Sequence, residues 1–217
     1  MHAIVTTALF TGVFGLIMGS AHTERVPMAG IKMIPAAAAA APRARVATTA
    51  DSLRAESALR GTLVRPQLEI YFARFNGDRT LVRRISRAVV REAQRQQVPP
   101  SLIAAVLLTE NTTLKPGALS SVGAVGLMQV MPIHAGASLC GSSDLTDVDS
   151  NICHGTLILA RNLRRTPTTT AALLRYNGCV RGTNTPDCHR YPSKVLSRAG
   201  KVRQQILAGS NALERDG

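Results

Sequence analysis

The sequence predicts a mainly α fold, and three observations carry that expectation. Apolar residues recur at helical spacing through several segments after residue 67. Prolines such as Pro99, Pro100 and Pro132 punctuate those segments. No stretch alternates apolar with polar residues as a half-buried strand does.

Ahead of the helical segments stand two regions of different composition. The first 21 residues, MHAIVTTALFTGVFGLIMGSA, hold no Asp, Glu, Lys or Arg, and an apolar run from Ala3 to Met18 precedes the small-x-small triplet Gly19-Ser20-Ala21. Residues 1–21 therefore read as a secretory signal peptide. Only His2 and the amino terminus supply positive charge ahead of the run, so an uncleaved anchor is the alternative. A lipid-attachment cysteine would have to follow the run at once, and the first cysteine is Cys140. Residues 22–66 shift to Ala, Pro, Arg and Thr, including PAAAAAAPRARVATTA, and read as a flexible tether.

The folded domain is expected over 67–217. It opens at LEIYFARF, where Leu68, Tyr71, Phe72 and Phe75 share one helical face suited to a core. Asp78 is placed to cap a helix through RTLVRRISRAVVREAQRQQ, whose Leu81, Val82, Ile85, Ala88 and Val89 form an apolar stripe while its arginines take solvated faces. Val98-Pro99-Pro100 ends it, and Ser101 opens SLIAAVLLTE. In that helix Ile103, Val106, Leu107 and Glu110 fall on one face, which carries Glu110 toward the core at the helix C-terminus. A Ser- and Gly-rich loop follows, then GLMQVMP, apolar enough for a short buried helix stopped by Pro132. Further helices are expected over Asp149 to Arg164, Thr169 to Tyr176 and Tyr191 to Ala208.

Charge and cysteines bound the surroundings. Lys and Arg outnumber Asp and Glu 26 to 13, a formal charge of +13, so an anionic partner is expected: nucleic acid, anionic lipid or anionic cell wall. Nucleic acid is disfavoured by 3% aromatics, the absence of Trp and basic residues scattered along the chain. Cys140, Cys153, Cys179 and Cys188 lack the short C-x-x-C knuckles of a zinc site, and an exported chain can keep them oxidised. Of the three pairings open to four cysteines, we expect sequential neighbours, Cys140 with Cys153 and Cys179 with Cys188.

Several chemistries are excluded. Gly117, Gly123 and Gly126 are followed by no Gly-Lys-Ser/Thr and preceded by no strand, so backbone flexibility explains them better than phosphate binding. His134, His154 and His189 have neither paired helical spacing nor a carboxylate cluster, so no metal is expected. Ser120 and Ser121 have no adjacent His/Asp pair and no nucleophile elbow. Glu110 is then the group to explain. Burial and the negative end of the helix dipole would both raise its pKa, leaving the protonated carboxyl that a general acid needs. The plainer alternative is a glutamate fraying into solvent at a helix end.

Glu110, Ser120 ten residues later, GAVGLMQVMP from Gly123 to Pro132, NICHG from Asn151, RYNG from Arg175 and YPSKVL from Tyr191 together resemble the ordered motifs of the soluble lytic murein transglycosylase catalytic domain, which is related to goose-type lysozyme. The resemblance covers about residues 78 to 208 and implies a lysozyme-like helical fold. It implies Glu110 as the single catalytic acid, Ser120, Gln129 and Met131 along a saccharide groove, and Tyr176-Asn177 as the pair whose tyrosine lies beside the catalytic carboxylate. The sequence departs from the family where Asn111 stands for the usual Ser, where the segment from Glu110 to Ser120 is one residue longer and lacks its usual aromatic, and where Asp187 stands for a glutamate.

The resemblance further implies cleavage between N-acetylmuramic acid and N-acetylglucosamine with formation of a 1,6-anhydro ring, in the periplasm or outside the cell. The expected partner is the peptidoglycan glycan strand, with a cell-envelope secretion apparatus as a further partner; no cofactor, no nucleic acid and a monomer are expected. Three other readings stand beside it. One is a hydrolase in which Asp144, Asp147 or Asp149 positions a water. Another is a silent wall-binding or secretion-assembly protein, and the third a cationic binder of nucleic acid or membrane.

Overall fold

A computed structural model of the 217-residue chain describes residues 61–179 and 187–213. The segments expected as signal peptide and as tether up to residue 60 lie outside the described residues. The fold is mainly α, as the sequence predicts, with six helices and no strand among the described residues: α1 Gly61–Phe72, α2 Arg79–Gln96, α3 Pro100–Glu110, α4 Val148–Arg165, α5 Thr169–Tyr176 and α6 Tyr191–Leu213.

The first helix starts at Gly61, so the expected domain start at residue 67 falls inside it. The reason lies in Val64, which joins Leu68, Tyr71 and Phe72 in one buried stripe and extends the apolar face a turn upstream of Pro66. Asp78 caps α2 as expected, its carboxylate accepting from the backbone N–H groups of Thr80 (2.9 Å) and Leu81 (3.1 Å). Gln97 then turns left-handed (φ 54°) and the following prolines prevent continuation. Val82, Ile85, Ala88 and Val89 are buried. The arginines of α2 are not all merely solvated. Arg84 pairs with Asp147 and Asp149, Arg91 with Asp149 and Glu92, and Arg95 with Glu92, which locks α2 to the start of α4.

The SLIAAVLLTE helix is more deeply placed than a single-face pattern implies. Every residue of α3 from Pro100 to Leu108 is buried, as an apolar sequence with no polar stripe requires. It runs through the middle of the core, packed by α2 and by α6. Each fully buried Leu or Ile there contributes about 1.5–3 kcal/mol of transfer free energy. Helix α6 packs on both α3 and α1, and its Tyr191, Val195, Ala199, Val202 and Ile206 are buried at helical spacing. Helices α4 and α5 pack on each other, and α5 also touches α6. Helix α4 is capped by Asp147, which accepts from Asp149 and Ser150 N–H at 2.9 Å each, and α5 by Thr168.

One expected element is corrected. GLMQVMP is a turn rather than a helix: Val125 and Val130 form an antiparallel bridge, with N–H···O distances of 2.9 Å in both directions. Gly126 at the start of the turn has φ 82° and Gln129 has φ 48°, conformations that an α-helix excludes. The Met128 N–H, which a helix would direct to a carbonyl one turn back, donates instead to Asn151 Oδ1 at 2.7 Å. The four cysteines pair as expected, Cys140 with Cys153 and Cys179 with Cys188. No described helix is long and apolar enough to cross a membrane.

Candidate active site

Glu110 is the last residue of α3, and it does not fray. The Tyr191 hydroxyl, on the first residue of α6, donates to Glu110 Oε1 at 2.6 Å. The Arg198 guanidinium, also on α6, donates to the Leu108 carbonyl, and Thr112 Oγ1 donates to the same oxygen at 3.1 Å. These satisfy an otherwise orphaned acceptor in the last turn of α3 and fasten that turn to α6. The last turn is therefore held on two sides, and the carboxyl keeps one orientation.

Burial is the larger influence on that carboxyl and raises its pKa from 4.5 to about 7, against the lowering effect of the Tyr191 hydrogen bond. Tyr191 and Tyr176 are both pushed well above the ordinary tyrosine value, first by burial and then by the Glu110 charge. Tyr191 thus remains a donor throughout the range in which Glu110 titrates.

Glu110 opens onto a cleft of about 470 Å³, and Ser120, Gln129, Met131, Tyr176 and Asn177 line the same cleft. All six site residues expected from the sequence are brought together. Their surroundings qualify several roles. Ser120 Oγ accepts from Ala124 N–H at 2.9 Å and so closes the turn that carries it. Gln129 Nε2 donates to the Gly126 carbonyl at 2.8 Å, bracing its own left-handed turn. Tyr176 donates to the Met128 carbonyl at 2.9 Å. It shares the cleft with Glu110, but the hydroxyl that touches the carboxylate belongs to Tyr191. Met131, 38% exposed, presents an apolar surface to the cleft, and Asn177 follows directly on α5.

The cleft wall between Glu110 and Pro132 is built by polar side chains acting on main chain. Asn111, where the family has Ser, is buried and donates to the carbonyls of Lys115 (2.7 Å) and Gly126 (3.2 Å), while accepting from Lys115 N–H at 3.2 Å. It ties the segment after the acid to the Val125–Val130 turn. Asn151 does the same from α4, donating to the Val125 and Leu145 carbonyls at 2.8 Å each. Gly126 is required there, because a Cβ would fall 2.2 Å from Asn151 Nδ2 and 2.5 Å from the Leu145 carbonyl. Gly155 is required for a related reason, since its Cβ would meet Met128 Cβ and Sδ at 2.6 Å. Leu114 (φ 53°) and Gln129 (φ 48°) are both left-handed. Such strain costs on the order of 1–3 kcal/mol per residue and persists only where the surroundings over-determine it.

The two disulfides flank this arrangement. Cys140–Cys153 anchors the short turn Ser138–Cys140 to α4. Cys179–Cys188 joins the chain just after α5 to the turn that leads into Tyr191. His154 is a buried structural residue: its Nδ1 lies 2.8 Å from the Ser150 carbonyl, and its Nε2 accepts from Ala137 N–H at 3.1 Å. No group of His, Cys, Asp and Glu able to hold a metal occurs among the described residues. Asp147 and Asp149 are held by Arg84 and Arg91. Asp144 accepts from Thr146 N–H and Oγ1. None of the three lines the cleft, where Glu110 is the sole carboxylate among the described residues.

Tyr191 is the site residue that sequence reasoning left without a role. Its signal was visible as the aromatic that opens YPSKVL, but its contact with Glu110 spans 81 residues of sequence. Local periodicity carries no information across such a distance.

Residues 87–186 match the family model described as Transglycosylase SLT domain. A stretch of 107 residues, 49% of this chain, is 39% identical to a protein named "Transglycosylase" from Enterobacteria phage PRD1. The chain covers 37% of that relative's length. The matched residues run from the middle of α2 through α5 and contain Glu110 and the whole cleft wall; this part of the chain, a helical fold around a cleft that holds a buried acid, is similar to the Transglycosylase SLT domain.

Proposed function

We propose that this domain cleaves peptidoglycan glycan strands between N-acetylmuramic acid and N-acetylglucosamine, outside the cytoplasm, and leaves 1,6-anhydro ends. One observation carries the reading: among the described residues the cleft is lined by a single carboxylate, and burial raises its pKa to about 7. An inverting hydrolase needs a second carboxylate to activate water, and a retaining one ordinarily needs a second as nucleophile. A reaction whose nucleophile sits on the substrate needs neither.

Glu110 donates its proton to the glycosidic oxygen as the bond to the muramoyl C1 breaks, and the substrate's 2-acetamido carbonyl stabilises the positive centre. The Glu110 carboxylate then takes the proton of the muramoyl 6-hydroxyl, whose oxygen bonds to C1 and closes the anhydro ring. The Tyr191 hydroxyl donates to Oε1, which in this reading leaves Oε2 to carry the travelling proton. Intramolecular attack gains effective concentration over water, so no water-positioning residue is required. Asp144, Asp147 and Asp149, on which a hydrolase reading relied, bond to other partners and do not line the cleft, which supports the single-acid reading.

Mass spectrometry of fragments released from purified peptidoglycan by the full chain, beside Glu110→Gln, tests the proposal. Anhydro-muramoyl ends from the wild type and none from the variant are expected. Reducing ends would replace the reading with hydrolysis, and the absence of fragments would replace it with wall binding.

A further inference from the structure

Three cations of this cleft have no side-chain partner among the described residues. Arg161 and Arg165 lie one turn apart on α4, Arg175 lies in the last turn of α5, and all three side chains are exposed and line the cleft. Among the described residues none of them makes an ion pair or hydrogen bond. The arginines of α2 present the opposite case, since Arg84, Arg91 and Arg95 are spent on Asp147, Asp149 and Glu92. The proton affinity of Glu110 is set by burial and by the Tyr191 hydrogen bond.

We propose that Arg161, Arg165 and Arg175 form a carboxylate-binding end of the cleft, which recruits glycan strands through the carboxylates borne by their muramoyl units. The inference rests on the function proposed above and adds the chemical group by which substrate is selected. Arginine suits the role because its planar fork donates two parallel hydrogen bonds to a carboxylate. Two of the three, spaced four residues apart on one helix, present neighbouring forks on the same side. Two sources carry the ligand: the lactyl carboxylate of a stem-free muramoyl unit and the carboxylates of an attached stem peptide.

The test compares KM and kcat on soluble glycan strands in four forms: stem-bearing, stem-bearing with carboxylates converted to primary amides, stem-free, and stem-free with the lactyl carboxylate amidated. The wild type is run beside the triple variant Arg161→Gln, Arg165→Gln, Arg175→Gln. Arg164→Gln is the charge-matched control, since Arg164 is exposed on the same helix and does not line the cleft. For exposed charge-assisted pairs, the wild type should show a KM about tenfold lower on a carboxylate-bearing strand than on its amide. The difference should appear in KM rather than kcat, as for an interaction made equally in ground and transition states.

The triple variant should lose the discrimination and Arg164→Gln should keep it. Preference confined to the stem-bearing pair identifies the peptide as the source, and preference in the stem-free pair identifies the lactyl group. Equal KM on every strand and its amide, discrimination surviving in the triple variant, or its loss in Arg164→Gln would overturn the proposal. Absence of turnover on all four strands would instead overturn the function on which it rests.

Discussion

Glu110 sits between two regions held together by different forces. On one side is the helical core, where α3 is surrounded by apolar side chains of α2 and α6. On the other is the wall from Asn111 to Met131, which has no helix and is fixed by Asn111, Ser120, Gln129, Asn151 and Tyr176, each bonding to main chain. The core decides whether the acid is dry enough to keep its proton. The wall decides what shape the acid faces. Non-directional burial tolerates exchange of one apolar residue for another of similar volume, whereas a side-chain amide that serves three backbone groups has no close substitute. Damage to the two regions should therefore show in different measurements.

The largest effect is expected where the regions meet. Glu110→Gln should lower kcat by about 10²–10⁴, the usual worth of a positioned acid-base group, while retaining the fold. It should also flatten the stability curve. A carboxyl with folded pKa about 7 against an ordinary 4.5 binds its proton more tightly when folded. Wild-type stability is thus full below about 4.5 and declines until about 7, by on the order of 3 kcal/mol. Urea unfolding at pH 5 and pH 8 should show this decline in the wild type and not in Glu110→Gln.

A change in the core should next cost stability. Leu107→Ala, at a fully buried position of α3, should lose about 2–5 kcal/mol in urea unfolding, with kcat per folded molecule close to that of the wild type. A change in the wall should do the reverse. Asn111→Ala strands the carbonyls of Lys115 and Gly126 and should lose about 1–3 kcal/mol, with a fall in kcat/KM larger than the lost stability explains. If Asn111→Ala and Leu107→Ala depress activity only in proportion to the unfolded fraction, the distinction between core and wall is broken.

The smallest effect sharpens the comparison. Tyr191→Phe keeps the packing of α6 but removes the hydrogen bond that lowers the Glu110 pKa. Its pH–rate profile should have the basic limb moved to higher pH, with a modest loss of kcat as the carboxyl becomes free to rotate.

The same division explains what the sequence revealed. The core helices were legible because their causes are local: Asp78 caps α2 through its own side chain, and Val82, Ile85, Ala88 and Val89 repeat at helical spacing. The bounds of α5 were read without error, and α4 was wider than expected by one residue at each end. The wall was not legible from periodicity. GLMQVMP has a composition that suits a helix, but its backbone follows the left-handed angles at Gly126 and Gln129 and a bond from Met128 to Asn151 on another element. Its residues were still found as site candidates, because their order matches a family pattern that encodes the tertiary partners a single segment cannot. That pattern drew attention to Tyr176, which shares the cleft with Glu110, but gave no role to Tyr191, whose hydroxyl donates to the carboxylate. The ion pairs of α2 were missed for a similar reason, since Arg84 meets its acids 63 and 65 residues away.

The most direct measurement is a carbon-detected NMR titration of glutamate side-chain carboxyls in the full chain, with Glu110→Gln used to assign the resonance. A Glu110 carboxyl titrating near 7 is the predicted result, and it would mean that the cleft holds a protonated acid under the conditions of catalysis. A Glu110 carboxyl titrating near the ordinary 4.5 would mean that the residue is ionised and solvated in the native protein, which contradicts its assignment as the single acid of the reaction.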